Sequence, residues 1–355
     1  MTPTIDTSKP VLVTGATGYV AGRVVEQLLA AGLTVHATVR DPSKTDRLTY
    51  LTDLADAHPG TLQFFGADLI EPGSFAEAMA GCGVVFHIAS PFASGVKNPQ
   101  RDLVDPAVNG TRNVLEQANQ TESVTRVVVT SSCAAIYGDN IDLDSTPNGE
   151  FTEEVWNTTS SLAHNAYSYS KTLAEKEAWA IHDAQDRWRL VTVNPSFVLG
   201  PGVRIHSTSE SFITTKQLGD GTFSSGVPAL SIGVVDVRDL ATAHVNAGFL
   251  PKANGRNIIS GHNTNFSEMA ATLRERFGDA FPLPTRTLPK FLLWLIGPFV
   301  NSTITRRFVS RSIGRPWIAN NSKSKAELGV TYRPLSETMN DFFQQLVDEG
   351  VLKAK

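Results

Sequence analysis

Short apolar runs alternate with amphipathic stretches over the first half of the chain. The run PVLVTG (10–15) predicts a strand, and YVAGRVVEQLLAAG after it places apolar side chains at helical spacing up to Gly32. The same alternation then repeats along the chain. Further strands are predicted over 33–40, 61–69, 84–90, 126–132 and 189–196, and further helices over 74–80, 102–118 and 166–184.

This alternation predicts the fold class. Parallel strands need crossover connections, and helices on both faces of a sheet supply them. We therefore expect an α/β fold of the Rossmann type, built on a doubly wound parallel sheet. Such sheets bind ligands beyond the carboxyl ends of their strands, and each motif described below falls there or on the following helix.

The alternation loosens after residue 197. The loop-like GPGVRIHSTSES and the helical patterns at 266–277 and 335–349 predict a smaller lobe over the strand ends. The stretch 234–250 has the pattern of a strand edge and a helix that return to the main sheet. We therefore expect a Rossmann domain over 1–197, joined by 234–250, and a substrate-binding lobe over 198–233 and 251–355.

The composition excludes several classes of function. The 355 residues carry a net charge of −4 and no long basic run, which argues against a nucleic-acid partner. Cys82 and Cys133 form no CxxC pair, and the first ten residues have no apolar core, so we expect a cytoplasmic protein without a secretory signal. The longest apolar run, FLLWLIGPFV (291–300), is shorter than the about 20 residues of a bilayer span. We expect it to form a buried or pocket-lining helix, and we expect no membrane partner.

The segment TGATGYVAG (14–22) joins the first predicted strand to the first helix. Its spacing, Gly-x-x-Gly-x-x-Ala, is a variant of the dinucleotide fingerprint. Gly15 permits a tight turn, and Gly18 lets a pyrophosphate approach the N–H groups at the start of the helix. Glycine pairs are common in turns, but the strand before this pair and the helix after it predict a dinucleotide site.

The end of the second predicted strand indicates which dinucleotide binds. Arg40 lies 22 residues after Gly18, where an arginine accommodates a 2′-phosphate and an acidic residue would hold a free ribose. Lys44 is a second cation for the phosphate or a solvated loop residue. Asp41, in an Asp-Pro turn, would favour the unphosphorylated cofactor if it turned inward. The charge of Arg40 leads us to expect NADP (NADPH) rather than NAD.

Two further strand ends carry candidate cofactor contacts. Asp68 closes the third strand, where its carboxylate would accept a hydrogen bond from an adenine amino group or would cap a turn. Ala89 and Ser90, within ASP (89–91), close the fourth strand and would lie along the cofactor. His87, one pleat earlier, is expected to pack inside the protein. No spacing of His, Cys, Asp or Glu indicates a metal site.

The stretch AYSYSKTLAEKEAW (166–179) holds two tyrosines close to a lysine. Residues four apart on a helix share a face and residues two apart do not, so we expect Tyr167 beside Lys171 and Tyr169 elsewhere. A lysine ammonium held close stabilises a phenolate, which makes the pair a candidate proton donor and acceptor. Such a pair also arises by chance on amphipathic helices.

The fifth predicted strand ends in two hydroxyls, Ser131 and Ser132. A serine there would hydrogen-bond a carbonyl oxygen as that oxygen gains negative charge. Serines at strand ends also serve as turn or cap residues. The glycine loop, the strand-end serines and Tyr-x-x-x-Lys nevertheless occur in this order on one predicted sheet, which favours a catalytic site.

Together these motifs resemble the extended short-chain dehydrogenase/reductase family over nearly the whole chain. VLVTGATGYVA, FFGADLIEPGSF, NGTRNVLEQA, VVVTSS and VDVRDLATAH look like its signature segments. HIASP and SYSKTLAEKEAW look most like its dihydroflavonol 4-reductase and cinnamoyl-CoA reductase subgroup, which includes microbial aldehyde and ketone reductases. The resemblance implies a catalytic triad of Ser132, Tyr167 and Lys171, with Ser131 as the alternative serine. It also implies a cofactor site lined by Gly15, Thr17, Gly18, Tyr19, Val20, Arg40, Lys44, Asp68, Leu69, Ala89, Ser90, Thr130, Tyr167, Lys171, Pro195 and Val198, with Ser211 near the phosphates.

The reaction implied by the resemblance is hydride transfer from NADPH to an aldehyde or ketone, with Tyr167 as the general acid and Ser132 polarising the oxygen. The alternatives are a nucleotide-sugar epimerase or dehydratase, a hydroxysteroid dehydrogenase and a non-enzymatic NADP sensor. Segment 203–232 offers only Arg204 and Lys216 to phosphates, so we expect a small or aromatic, largely apolar substrate. Monomer and homodimer both stay open.

Overall fold

A computed structural model describes residues 8–90, 96–300 and 304–355 of the chain. Residues 1–7 of the opening segment and Pro91 of the ASP segment lie outside these described residues. The strands are β1 (Val11–Val13), β2 (Thr34–Val39), β3 (Thr61–Gly66), β4 (Val84–His87), β5 (Arg126–Thr130), β6 (Arg189–Pro195), β7 (Phe197–Leu199), β8 (Val227–Pro228), β9 (Ser231–Asp236), β10 (Gly255–Ile259), β11 (His262–Asn265) and β12 (Thr287–Leu288). The α-helices are α1 (Tyr19–Ala30), α2 (Thr49–Asp56), α3 (Ala76–Met79), α4 (Asp105–Gln120), α5 (Ala166–Asp183), α6 (Glu210–Gly219), α7 (Val237–Phe249), α8 (Phe266–Phe277), α9 (Lys290–Val300), α10 (Arg306–Ser312), α11 (Ser322–Glu327) and α12 (Leu335–Asp348).

The central sheet of the described residues has seven parallel strands in the order β10-β6-β5-β4-β1-β2-β3. The order reverses between β1 and β4, which is where Rossmann-type sheets open a ligand crevice. The carboxyl ends of both strands carry segments singled out from the sequence. The predicted α/β Rossmann fold is therefore confirmed.

Helices cover both faces of this sheet, and each face has its own core. One core packs α1 and α7 on β1 and β2, with Val24, Leu28 and Ala243 fully buried. The other packs α3, α4 and α5 on the opposite face, around Val114 and Ala178. Because both faces are buried there, the central strands β1, β4 and β5 are rich in valine, as is usual for parallel sheets.

The smaller lobe has a core of its own over the carboxyl ends of the strands. It is built on the three-stranded sheet β11-β9-β7 and on α6, α8 and α12, around Phe212, Phe342 and Phe343. The strand pair β12-β8 lies beside α9 and α10 in a satellite cluster. Within the stretch 251–355, which the sequence assigned to the lobe, β10 instead pairs with β6 and extends the main sheet.

Helix α9 differs from its expectation. The apolar run 291–300 does form a helix. Among its residues 291–299, only Leu293 and Gly297 are buried, whereas Phe291 is 73% exposed and Phe299 is 83% exposed. The expected buried helix is therefore wrong for its outer face. Among the described residues, no helix is long and apolar enough to cross a membrane.

Candidate active site

The glycine loop between β1 and α1 lies against the end of β4. Gly15 has a φ of 64°, and a Cβ atom there would lie 2.9 Å from the Ala89 Cβ atom. Only glycine fits this turn without strain. The Thr14 hydroxyl accepts hydrogen bonds from the Ile88 and Ala89 N–H groups at 3.1 and 3.0 Å, so it ties the two strand ends together.

Helix α1 starts directly at the loop, with Gly18 as its N-cap residue. No side chain caps the helix, and its first turn holds no acidic residue. Its first N–H groups and the positive end of its dipole are thus available to an anion. Val20, in the first turn, is half-buried and packs on the cores of both lobes.

The Tyr19 side chain leaves this loop and enters the core of the smaller lobe. Its hydroxyl donates a 2.5 Å hydrogen bond to the Gly200 carbonyl, and its ring meets Phe212 edge-on. Burial raises the pKa of Tyr19 well above its usual value. Only the backbone N–H of Tyr19 therefore lies at the glycine loop, where the sequence predicted a cofactor contact.

Arg40 closes β2, and its side chain is exposed. It makes no hydrogen bond or ion pair with any described residue. The Asp41 carboxylate instead accepts hydrogen bonds from the Ser43 hydroxyl and backbone N–H at 2.6 and 3.1 Å, and pairs with Lys44 at 3.0 Å. These bonds, led by the Ser43 hydroxyl, lower the pKa of Asp41 to about 2. Asp41 and Lys44 thus neutralise each other, and Arg40 is left as the unpaired cation at this strand end.

A second cation reaches the glycine loop from the smaller lobe. An Arg204 Nη atom lies 3.5 Å from the Thr17 carbonyl oxygen, and the guanidinium lies 4.5 Å from the centre of the Tyr50 ring. Its Nε atom is buried without a hydrogen-bond partner. The sequence predicts Arg204 only as a contact for substrate phosphates, because the irregular loop that carries it gives no signal of where it folds.

Polar residues at the ends of β3 and β4 make hydrogen bonds to nearby groups of the protein. One Asp68 carboxylate oxygen accepts a 3.0 Å hydrogen bond from the Ile70 N–H, which is the turn-capping alternative. Its other carboxylate oxygen has no such bond within the described structure. Leu69 packs on Gly110 of α4. His87 is buried beside Thr14, and burial lowers its pKa to about 3, so it packs as a neutral strand residue.

Helix α5 places Tyr167 and Lys171 side by side. The Lys171 Nζ atom lies 5.9 Å from the centre of the Tyr167 ring. It also donates a 3.0 Å hydrogen bond to the Ser90 hydroxyl at the end of β4. Lys171 is 8% exposed, whereas Tyr167 is 53% exposed and so is open to a ligand. Tyr169, two residues on, has no cation over its ring in the described structure.

The two serines after β5 point to different surroundings. The Ser131 hydroxyl is buried and donates a 2.5 Å hydrogen bond to the Glu175 carboxylate. The Ser132 hydroxyl accepts a 3.1 Å hydrogen bond from the Ala134 N–H, and this residue is only half-buried. Cys133 is buried with its thiol directed to the Asn194 carbonyl, and burial raises its pKa.

Glu175 lies at the centre of a buried polar network that the sequence pattern does not predict. Its carboxylate pairs with Arg256 at 2.7 Å and accepts hydrogen bonds from Asn194 at 2.7 Å and Thr192 at 3.1 Å. Arg256 also donates to the carbonyls of residues 153 and 155 in the loop before α5. The network therefore fixes α5, β6, β10 and that loop to one another behind the site.

A second network holds the start of α5. Asn165, directly before the helix, has a φ of 53°, and its amide donates a 2.7 Å hydrogen bond to the Gly138 carbonyl. His164 pairs with the buried Asp139 at 2.7 Å, and Arg311 of α10 pairs with the same carboxylate at 2.5 Å. The position of Tyr167 thus depends on contacts from the smaller lobe.

The remaining predicted cofactor residues lie at or near the carboxyl edge of the sheet. Thr130 ends β5, and its hydroxyl bonds the His244 ring at 2.7 Å. Pro195 ends β6 and Val198 lies in β7. Ser211 is buried in the first turn of α6. Leu69, Ala89, Ser90, Thr130 and Lys171 together line one small cavity. Within the described part of the chain, no group of three or more His, Cys, Asp or Glu residues is placed to hold a metal.

Comparison with known proteins places this chain among reductases. The model of the NAD dependent epimerase/dehydratase family matches residues 11–251. Cinnamoyl-CoA reductase CAD2 of Medicago truncatula is 35% identical over 346 residues, which are 96% of this chain and 96% of that protein. Anthocyanidin reductase of Arabidopsis thaliana is 34% identical over 281 residues, 76% of this chain and 81% of that one. Among solved structures, Gre2 of Candida albicans in complex with NADPH is 29% identical, with a TM-score of 0.76 over 96% of this chain and 99% of that one.

Proposed function

Because this chain belongs to the NAD dependent epimerase/dehydratase family, we propose that it is a carbonyl reductase acting on an aldehyde or ketone. The chain is an oxidoreductase of the dihydroflavonol 4-reductase type, and its cofactor is NADP(H). The proposal adds the reaction at the carbonyl group, the residues that carry it and the class of substrate.

The observation that carries the proposal is the arrangement around Lys171. A nearly buried ammonium lies beside the ring of an exposed tyrosine and is held there by the Ser90 hydroxyl. In the proposed reaction the ammonium favours negative charge that develops on the Tyr167 oxygen once a bound ligand excludes water from the pair. Tyr167 is thus equipped to give a proton to a substrate oxygen and to take it back in the reverse reaction.

Ser132 is the proposed partner for the substrate oxygen. Its hydroxyl is half-exposed at the carboxyl end of β5, and its bond from the Ala134 N–H leaves the hydroxyl proton free to donate. A donor at this place stabilises a carbonyl oxygen as it gains charge. Ser131 is unsuited to the role because its proton is already given to Glu175.

The residues present fit the cofactor. Gly15 leaves space where a Cβ atom would meet Ala89, and the uncapped start of α1 offers N–H groups to the pyrophosphate. Arg40, exposed directly after β2, is the proposed contact of a 2′-phosphate, and Arg204 has an unpaired donor near the glycine loop. When bound, NADPH supplies the hydride that reduces the carbonyl carbon. Lys171 is the proposed contact of the nicotinamide ribose.

The cations of the smaller lobe favour a substrate without phosphate groups. Lys216 forms an ion pair with Asp220, and Arg204 is directed to the glycine loop. A nucleotide-sugar substrate needs several cationic contacts for its diphosphate, and segment 203–232 has no other cation to give. A small or aromatic, largely apolar aldehyde or ketone is therefore the proposed substrate class.

The proposal is tested with aldehydes, ketones and UDP-sugars, by following NADPH absorbance and, for the sugars, product formation. Reduction of aromatic or small apolar carbonyl compounds is expected, and conversion of a UDP-sugar without such reduction would contradict it. Tyr167→Phe should lower kcat by about 10²-fold or more while NADPH still binds. Tyr169→Phe is the matched control and should retain most activity; an inactive Tyr169→Phe would contradict the assignment of the general acid.

A further inference from the structure

Helix α9 presents an unusually apolar surface to solvent. Phe291, Leu295 and Phe299 are 73, 53 and 83% exposed, and Trp294 and Ile296 are each 42% exposed. We call these five side chains the α9 face. Aromatic side chains carry about 150–250 Å² each, so the face exposes roughly 500–600 Å² of apolar surface. That is as large as the largest patch on a typical monomer, and patches of this size mark interaction sites.

The helix is attached to the protein along one narrow edge. Leu293 packs with Val309 and Ile313, and Gly297 lies so close to Ile304 that a Cβ atom would approach its methyl group to 2.6 Å. The α9 face covers the opposite side of the helix, over roughly 200° at 100° per residue. The α9 face is therefore a convex ridge, a shape that can insert into a deformable surface.

Along the sequence, the charged residues on either side of this ridge are all of one sign. Between Asp279 and Glu327 the sequence has no acidic residue, although the chain as a whole carries −4. The same stretch has eight cations: Arg286, Lys290, Arg306, Arg307, Arg311, Arg315, Lys323 and Lys325.

Two of the four arginines that follow α9 are already paired, and two are not. Arg311 and Arg315 pair with aspartates of the loop before α5. Arg306 lies 4.7 Å from the centre of the Trp294 ring, and Arg307 is exposed without an ion pair in the described structure. Apolar surface flanked by unpaired cations is complementary to an anionic lipid surface.

We infer that the α9 face docks on an anionic lipid surface, with α9 lying in the interface and Arg306 and Arg307 reaching lipid head groups. An 11-residue helix is too short to cross a bilayer, so the contact is peripheral. A second copy of this chain is the poorer occupant. A two-fold contact would bring the unpaired cations of both copies together, where like charges repel.

Vesicle flotation with the full chain tests the inference. Wild type should bind vesicles of phosphatidylcholine and phosphatidylserine at 7:3 and bind pure phosphatidylcholine far more weakly, and added salt should reduce the difference. Arg306→Gln/Arg307→Gln should weaken binding to the anionic vesicles roughly 20- to 30-fold, as expected for two cations near a lipid surface. Lys353→Gln/Lys355→Gln, a matched loss of two charges at the chain's end, should have little effect.

The apolar part is tested separately. Phe291→Ser/Phe299→Ser should weaken binding at least tenfold, whereas Ile70→Ser, at a side chain that is 65% exposed elsewhere, should not. Failure of wild type to bind anionic vesicles, or equal binding by the phenylalanine variant, would overturn the inference. So would a dimer in light scattering that dissociates in the phenylalanine variant, because a second copy would then cover the face. NADPH titration shows that each variant is folded.

Discussion

Arg40→Ala should reduce the preference of the protein for NADPH over NADH. Arg40 has no ion pair within the described residues, so its interaction with a 2′-phosphate does not first require the loss of such a contact. A charge-assisted hydrogen bond contributes about 1.5–3 kcal/mol. Because Arg40 is exposed and screened by water, we expect the lower end of that range, which is about tenfold in affinity. NADPH should thus bind about tenfold more weakly to the variant, and NADH binding should change by less than about twofold.

The neighbouring residues sharpen this prediction. The ion pair between Lys44 and Asp41 means that Lys44→Ala should weaken NADPH binding less than Arg40→Ala does. Asp41→Asn should release Lys44 and tighten NADPH binding. Arg204→Ala should instead weaken NADPH and NADH alike, because Arg204 lies against the glycine loop that receives the pyrophosphate of either cofactor. Arg286→Ala, an exposed cation of the smaller lobe, is the control.

Fluorescence titration of wild type and variants with NADPH and NADH provides the test. At low salt, wild type should prefer NADPH, and the preference should shrink as ionic strength rises. Wild type that binds NADH as tightly as NADPH would contradict the role of Arg40. Equal weakening of both cofactors by Arg40→Ala would show instead that the residue supports the loop rather than the phosphate.

Three further predictions concern catalysis and stability. Ser132→Ala should lower kcat roughly 10²-fold. Ser131→Ala should lower the melting temperature and have a smaller effect on kcat; a larger loss of kcat in Ser131→Ala than in Ser132→Ala would exchange their roles. Glu175→Ala should cost about 3–5 kcal/mol in urea unfolding, because it leaves Arg256 buried without its partner, and a loss below 1 kcal/mol would mean that water or another group replaces the carboxylate. Burial lowers the pKa of His87 to about 3 and that of His244 to about 4. Each histidine then stays neutral in the folded chain, while in the unfolded chain it takes up a proton below about pH 6.5. Between about pH 6.5 and pH 4, the free energy of unfolding should therefore fall by about 1.4 kcal/mol per pH unit for each histidine. His87→Gln/His244→Gln should flatten this slope, and an unchanged slope would assign the acid loss to other groups.

The sequence predicted what depends on local periodicity. The strand and helix pattern up to residue 197 gave the sheet and placed α5 over 166–184, where the structure has Ala166–Asp183. The spacing of Tyr167 and Lys171 followed from helix geometry alone. These features need only neighbours along the chain.

What the sequence missed depends on contacts between distant segments. Glu175 in AEKEAW has the pattern of a charged helix surface, yet Arg256, 81 residues away, meets it inside the protein. Arg204 reaches Thr17 across 187 residues through a loop that has no periodicity. Strand β10 was missed because its pairing with β6 is set by the edge of the finished sheet. The apolar residues of α9 predicted a buried helix, but the outer side of this helix is exposed to solvent.

The choice between the two serines shows how a distant residue decides a local question. Consecutive residues of an extended segment point to opposite sides, so Ser131 and Ser132 cannot both face the same surroundings. On the buried side the Glu175 carboxylate accepts the Ser131 proton in addition to hydrogen bonds from Arg256 and Asn194. Ser131 is therefore held inside, whereas Ser132 lies on the other side of the chain and is only half-buried. The sequence showed two equivalent hydroxyls, and the buried carboxylate makes them different.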